Sequence, residues 1–81
     1  MQMKVLITGG AGYLGTILLE KLIKSSEELN IEKITVYDNL MYKQDGIFPL
    51  CSNEIVDFVY GDVRDQNKLK KYLNVDYIFP L

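Results

Sequence analysis

Three glycines at regular spacing form the part of this sequence best suited to chemistry. Gly9, Gly12 and Gly15 lie in the segment TGGAGYLG, directly after an apolar run. Gly9 permits a tight turn, Gly12 leaves the backbone open to a pyrophosphate, and Gly15 lets a following helix pack closely on a sheet. The amide groups and dipole at the start of that helix favour phosphate. The segment therefore indicates a dinucleotide-binding turn, and the alternative is a glycine-rich turn needed only for packing.

An acidic residue follows at the distance that such a turn requires. Asp38 ends a second apolar run, 23 residues after Gly15. A carboxylate at this place accepts hydrogen bonds from both ribose hydroxyls and repels a 2′-phosphate, which favours NAD over NADP. The alternative is that Asp38 and Asn39 only begin a turn. Lys43, nearby in the chain, could relax the preference against NADP.

A second acidic candidate follows a third apolar run. Asp62 comes directly after Gly61, where it could contact an adenine amino group with the Val63 backbone beside it. A plain turn that caps the next helix explains the same residues equally well. Tyr13 and Tyr37 could line this pocket, although tyrosines beside strands more often serve packing.

The elements that must position these residues follow from hydrophobic periodicity. A buried strand, a helix, a strand, a long loop, a strand, a helix and a strand are predicted over residues 4–8, 13–29, 33–37, 39–53, 54–60, 65–73 and 75–79. Asn30 is the predicted stop of the first helix, and Asp65 the predicted cap of the second. The predicted inward side chains are Leu14, Ile17, Leu18, Leu22 and Ile23 in the first helix, and Leu69, Tyr72 and Leu73 in the second. This order predicts a parallel α/β sheet with right-handed crossovers, in one domain over residues 1–81.

Composition excludes several other classes of function. Apolar residues make up 48% of the 81 residues and charged residues 25%, with a net charge of −2, so a nucleic-acid-binding surface is not expected. Without histidine and with Cys51 as the only cysteine, the chain has neither a Cys/His zinc cluster, nor a Ser-His-Asp triad, nor an internal disulfide. We expect no metal site and a cytoplasmic, non-membrane protein.

Four segments together resemble one family. TGGAGYLG at 8–15, VYDNL at 36–40, FVYGDVRD at 58–65 and DYIFPL at 76–81 are similar to the start of extended short-chain dehydrogenases/reductases, in the NAD-dependent epimerase/dehydratase group that acts on nucleotide sugars. The resemblance implies a truncated Rossmann fold with strand order 3-2-1-4. Pro80 departs from the family, which more often has histidine there. The cofactor contacts that the resemblance implies are Gly9, Gly12, Tyr13, Leu14, Asp38, Asn39, Asp62, Val63 and Leu81.

The family's catalytic Tyr-x-x-x-Lys pair has no counterpart, because no tyrosine in this sequence has lysine four positions later. We therefore assign no catalytic residue and expect a module that binds NAD mainly through its ADP portion. Two alternatives stay open: a subunit completed by a separate chain, or a non-catalytic interaction protein that docks through its sheet edge. Because the fourth strand would form that edge, we also expect a homodimer paired through it.

Overall fold

The helices and strands of this chain alternate, as the periodicity predicts. The computed structural model describes residues 2–9, 13–39, 50 and 52–81, to which the structural statements below refer. The regular elements are β1 (Met3–Thr8), α1 (Tyr13–Lys24), α2 (Ser26–Leu29), β2 (Ile31–Asp38), β3 (Val56–Tyr60), α3 (Gln66–Leu69), a 3-10 turn (Lys70–Tyr72) and β4 (Tyr77–Pro80). Within these ranges, no helix combines the length and apolarity needed to cross a membrane.

The four strands form one parallel sheet in the order β3-β2-β1-β4, which confirms the predicted topology. Its register places Thr8 at the end of β1 opposite both Tyr37 and Pro80 on the neighbouring strands. Asp38 at the end of β2 lies opposite Tyr60. The carboxyl ends of all four strands therefore meet at one edge, where α/β sheets bind ligands.

Side-chain alternation along the central strands serves both faces of the sheet. On one face, Val5, Ile34 and Val36 pack in a core cluster with Leu19 of α1, and each is at most 2% exposed. On the other face, the ring of Tyr37 contacts that of Tyr72, with centroids 5.7 Å apart. β1, at the centre of the sheet, is covered on both sides, and its buried residues Val5, Leu6 and Ile7 form a continuous apolar run.

Helix α1 is rotated relative to the prediction. Leu19, absent from the predicted inward set, is fully buried, whereas Leu14 is 68% exposed and Ile17 is 36% exposed. Gly15 is buried, and Leu19 lies one turn further along the same side of the helix. At 100° per residue, this side turns Leu14 and Ile17 away from the sheet. Leu18, Leu22 and Ile23 do pack against the core cluster, as predicted.

The predicted helix over 13–29 is interrupted at Ser25, which separates α1 from α2. Asn30 ends α2 as predicted. It adopts a left-handed conformation (φ 56°, ψ 47°), and its N–H donates to the carbonyls of Glu27 and Ser26. Asparagine tolerates this conformation better than most residues, which explains its place here.

The second helical segment is shorter and tighter than predicted. Asp65 does cap it, since its Oδ1 accepts a hydrogen bond from the Lys68 N–H at 3.2 Å. After Leu69 the chain tightens into the 3-10 turn, and this change of period leaves Leu73 43% exposed instead of inward. Leu69 and Tyr72 are half-buried.

The strand boundaries differ from the prediction by up to two residues. β2 begins earlier because buried Ile31 already pairs opposite Met3. β3 begins later because the Asn53 side chain accepts a hydrogen bond from the Ile55 N–H in a preceding turn. β4 begins at Tyr77, after Asp76, whose carboxylate accepts the Lys4 N–H at 2.8 Å. Most of the predicted loop over 39–53 lies outside the described residues.

Candidate dinucleotide-binding cleft

A cleft of about 110 Å³ lies at the carboxyl ends of the strands. Its lining includes five of the nine residues predicted to contact a cofactor, which come from four different parts of the chain. The lining residues are Gly9, Tyr37, Asp38, Asn39, Gly61, Val63 and Leu81. A volume of this size suits part of a dinucleotide, since whole-ligand sites usually measure about 300–1,000 Å³.

Gly9 is fixed in its turn from two sides. It adopts φ +71°, and its N–H donates to the carbonyl of Tyr37 at 2.8 Å. A Cβ at this position would lie 2.7 Å from the carbonyl oxygen of Leu81. Both the backbone conformation and the approach of Leu81 therefore require glycine.

Leu81 reaches Gly9 because of the way β4 ends. Pro80 has no N–H to donate to β1, and the Leu81 N–H bonds to the Thr8 carbonyl at 2.9 Å. At Pro80, where the sequence departs from the family pattern, the last backbone bond to β1 is therefore made by the next residue, Leu81.

The remaining predicted contacts have different positions. Leu14 lies in the first turn of α1 and is largely exposed. Asp62 lies between the lining residues Gly61 and Val63. Gly12 lies outside the described residues, as does the side chain of Tyr13, whose backbone begins α1. The first turn of α1 carries no acidic side chain, so no carboxylate there offsets the positive end of the helix dipole.

Tyr37 does more than the packing that its sequence position suggested. It is fully buried, lines the cleft, and donates its hydroxyl to the Asp62 carbonyl oxygen at 3.1 Å. Burial raises the pKa of Tyr37 above its ordinary value of 10, and the negative charges of Asp65 and Asp62 raise it further. The phenol is therefore held in its neutral, donating form at neutral pH.

Gly61 provides the space that Tyr37 occupies. A Cβ on Gly61 would lie 2.4 Å from the Cζ and hydroxyl oxygen of Tyr37. The Gly61 N–H also donates to the Asp38 carbonyl at 2.9 Å. In the sequence, Gly61 was interpreted only as the end of a strand. The available signal was a pair of residues, Tyr37 before Asp38 and Gly61 before Asp62, which the pairing of β2 with β3 brings together.

The Asp62 carboxylate is paired with Arg64, a residue that sequence reasoning did not single out. Arg64 donates from Nη2 to Oδ2 at 2.7 Å, from Nε to both oxygens at 3.1 Å, and from its backbone N–H to Oδ1 at 2.9 Å. Hydrogen bonds from the Arg64 side chain, and then from its backbone, lower the pKa of Asp62 to about 2. Asp62 is therefore an ionised acceptor at neutral pH.

A larger cavity, of about 290 Å³, lies at the opposite end of the strands beside Lys4, Lys33 and Lys71. The described residues that line it include no glycine. Lys33 there is paired with Asp57 at 3.1 Å. The cleft beside Asp38 is the better candidate because it combines the turn, the carboxylate and the strand ends.

Known proteins resemble this chain over most of its length. The sequence profile of the NAD dependent epimerase/dehydratase family matches residues 5–81. A UDP-glucose 4-epimerase from Rickettsia bellii (strain OSU 85-389) is 32% identical over 76 residues, which are 93% of this chain and 22% of that protein. A dTDP-glucose 4,6-dehydratase from Salmonella typhimurium is 30% identical over 71 residues, 85% of this chain and 19% of that protein.

Solved structures give the same result. A dTDP-glucose 4,6-dehydratase from Streptomyces venezuelae, with NAD and TYD bound, superposes with a TM-score of 0.86 at 30% identity, over 98% of this chain and 26% of that one. A Bacillus anthracis dTDP-glucose 4,6-dehydratase in complex with NAD gives a TM-score of 0.82 at 26% identity, with the same coverage. This chain spans about a fifth to a quarter of the length of these relatives, and the sheet and glycine turn fall within that part. It belongs to the NAD dependent epimerase/dehydratase family.

Proposed function

We propose that this chain binds NAD through its ADP portion and performs no hydride transfer with these residues alone. The observation that carries the proposal is the cleft at the carboxyl ends of β1, β2 and β3, where Gly9, Asp38 and Val63 meet. These residues lie far apart in the sequence, and their convergence at the ligand-binding edge of a parallel sheet matches what a dinucleotide needs.

The phosphates would be bound by backbone groups. Gly9 turns the chain toward the start of α1, whose first amide groups and dipole favour negative charge. Such a site needs no basic side chain, which accords with the net charge of −2.

The ribose would be bound by Asp38. Its half-buried side chain lies at the end of β2 and lines the cleft with Asn39. A carboxylate accepts hydrogen bonds from the 2′ and 3′ hydroxyls and opposes a 2′-phosphate, so NAD is the preferred cofactor. Leu14, Gly12 and Tyr13 would complete the pyrophosphate side, as the family resemblance implies.

The absence of the Tyr-x-x-x-Lys pattern limits the chemistry. A hydride-transfer site needs groups that orient the nicotinamide and move a proton, and the family's pair for this task is not in the 81 residues. Binding by this chain would therefore be weak, with ADP contributing most of the affinity.

Isothermal titration with NADH, ADP and NADPH tests the proposal. We expect similar affinities for NADH and ADP, weaker binding of NADPH, and loss of binding in Asp38→Ala and Gly12→Val. Glu32→Ala is the matched control, because it removes an exposed carboxylate from the other end of β2. A folded chain that binds none of the three ligands at millimolar concentration would refute the proposal.

The outer edge of the sheet, formed by β4, favours a second candidate function. β4 lies at the sheet edge, and its side chains Tyr77 and Ile78 are 55% and 46% exposed. Beside it runs an apolar groove of about 210 Å³, lined by Met3, Val5, Leu22, Leu29, Ile31, Tyr77 and Phe79. An apolar groove next to an unpaired strand edge favours association with another polypeptide.

We propose a homodimer through β4 as the simplest form of this association, with a separate chain carrying the Tyr-Lys pair, or a longer relative, as the other partners. Light scattering at high micromolar concentration separates these cases. A dimer that Tyr77→Lys converts to monomer supports pairing through β4, whereas a stable wild-type monomer excludes the homodimer. An adjacent reading frame that encodes the pair would then favour completion by a second chain.

We also propose that the protein is located in the cytoplasm, which cell fractionation tests.

A further inference from the structure

We infer that Lys68 protects the β3 edge of the sheet from pairing with other strands, so that association of this chain is confined to the β4 edge and stops at two copies. The number of copies rests on the proposed homodimer, whereas the protection of β3 rests on contacts within one chain. The sheet has two edges, β3 and β4, and the main-chain groups that point away from it have different partners at each.

The main-chain groups of β3 alternate between facing β2 and facing outward, as in any strand of a parallel sheet. The carbonyl of Ile55 and the N–H of Gly61 both bond to β2, one just before β3 and one just after it. Odd-numbered residues here therefore face β2, and even-numbered residues face away from the sheet. Val56 and Tyr60, the first and last residues of β3, are both in the outward set.

Both ends of this outward row bond to groups of the same chain. The Val56 N–H donates to the Asn53 carbonyl at 3.0 Å, in the turn before the strand. The Tyr60 carbonyl accepts a hydrogen bond from Nζ of Lys68, eight residues further along the chain. A strand that approached β3 would have to break these bonds and remove a charged ammonium group from water, so pairing there is unfavourable.

Lys68 is held at this position by helix α3. Its N–H donates to the Asp65 cap at 3.2 Å, which fixes the first turn of the helix below β3. Lys68 is half-buried, whereas Lys70 and Lys71 are exposed. A lysine whose stem packs on the protein while its ammonium group reaches a strand edge is a common means of keeping that edge unpaired.

The β4 edge has no comparable protection among the described residues. The Asp76 N–H donates to the Lys4 carbonyl of β1 at 2.8 Å, so the main-chain groups of Tyr77 and Phe79 face outward. The strand YIFP carries no charged side chain. Two copies of an uncharged strand meet without repulsion, and a two-fold axis between them would pair the strands antiparallel, which favours a second copy of this chain as the partner.

The difference between the edges determines where association ends. Pairing of two copies through β4 joins their sheets into one sheet whose outer strands are both β3. Each of these outer strands carries its own contact between Lys68 and the Tyr60 carbonyl. Further copies therefore find no open edge, and the assembly is a closed dimer instead of a growing sheet.

Light scattering over a range of concentrations tests the inference on the folded chain. The wild type should have the mass of two copies, and Lys68→Ala should have about twice that mass or more, rising with concentration, because its β3 edges are open. Lys68→Arg keeps a long cationic donor and should have the wild-type mass. Lys70→Ala, which removes an exposed lysine from the same segment, is the matched control. Lys68→Met, which keeps the apolar stem, replaces Lys68→Ala if that variant does not fold. A folded variant without the lysine that has the wild-type mass would overturn the inference.

The Tyr77→Lys background separates this inference from the proposed homodimer. With β4 blocked, the added change Lys68→Ala should convert a monomer into a dimer through β3. If the wild type is itself a monomer, the homodimer fails, but Lys68→Ala should still form dimers.

Hydrogen exchange followed by NMR identifies the surface that pairs. The Tyr60 N–H faces outward and should exchange about tenfold more slowly in the Lys68→Ala assembly than in the monomer. Association without slower exchange at Tyr60 would mean that the variant associates through another surface, which would also overturn the inference.

Discussion

The strand ends beside Asp38 and the outer edge at β4 belong to the same sheet but are finished in different ways. On β2, Ile34, Val36 and Tyr37 are fully buried, and the polar groups at its end are engaged by the turns that follow β1 and β3. On β4, Tyr77 and Ile78 are about half exposed beside an apolar groove. The first region can be stable through contacts made by this chain itself. The second leaves apolar side chains exposed, and it is the surface at which we propose that another polypeptide binds.

The largest expected difference between the two regions is the loss of unfolding free energy when one isoleucine in each is replaced by alanine. Ile34→Ala should cost about 2–5 kcal/mol of unfolding free energy because it opens a cavity in the core cluster, which is a large part of the stability of so small a domain. Ile78→Ala, at a side chain 46% exposed, should cost less than about 1 kcal/mol in the monomer. Urea unfolding followed by circular dichroism at low micromolar concentration measures both. Equal costs would show that the side chains of β4 are covered in solution.

The next largest expected loss of stability comes from replacing Gly61, which lines the cleft. Gly61→Ala should cost about 1–3 kcal/mol, because its Cβ would lie 2.4 Å from the ring of Tyr37. Thermal unfolding of Gly61→Ala, Tyr37→Val and the double variant measures the coupling between them. If the steric reading is right, the double variant loses less stability than the sum of the single ones. Strict additivity would mean that the ring is not what requires glycine here.

Much of the fold was predictable from the sequence because its determinants are local. The apolar runs of β1 and β2, the left-handed stop at Asn30 and the cap at Asp65 each depend on a few neighbouring residues. The rotation of α1 was not predictable, because Leu14 and Ile17 fit a helical stripe as well as Leu19 does. The fit of Gly15 and Leu19 against the sheet decides between them, and that depends on tertiary packing.

The candidate site likewise has parts that the sequence predicts and contacts that it does not. The glycine turn and Asp38 could be found from spacing, since each element carries its own signal. The bond of Tyr37 to Asp62 could not, because it depends on the distance between the ends of β2 and β3. The bonds of Arg64 to Asp62 depend on the conformation of the turn that follows β3. The carboxylate of Asp62 engages Arg64, and its adenine contact remains a prediction.

At alkaline pH, the unfolding free energy should depend on Tyr37, which lies on the interior side of the cleft. The pKa of Tyr37 is raised in the folded chain, so the unfolded chain releases its phenolic proton first as the pH rises. The stabilisation is complete below pH 10 and is lost as the pH rises above that value. We expect the unfolding free energy of the wild type to fall more steeply above pH 10 than that of Tyr37→Phe. Parallel curves would show that another tyrosine causes the loss.

At acidic pH, the expected change in unfolding free energy is the smallest of these effects, because the Asp62–Arg64 pair lies near solvent. The pKa of Asp62 is lowered to about 2 in the folded chain, whereas an unfolded aspartate titrates near 3.9. The stabilisation is therefore present above pH 4 and is lost as the pH falls from about 4 to 2. Arg64→Ala should flatten this part of the pH profile, and 0.5 M salt should do so partly, since exposed pairs are screened. A profile that neither change alters would place the acid sensitivity elsewhere in the chain and would leave the carboxylate held mainly by the backbone of its turn.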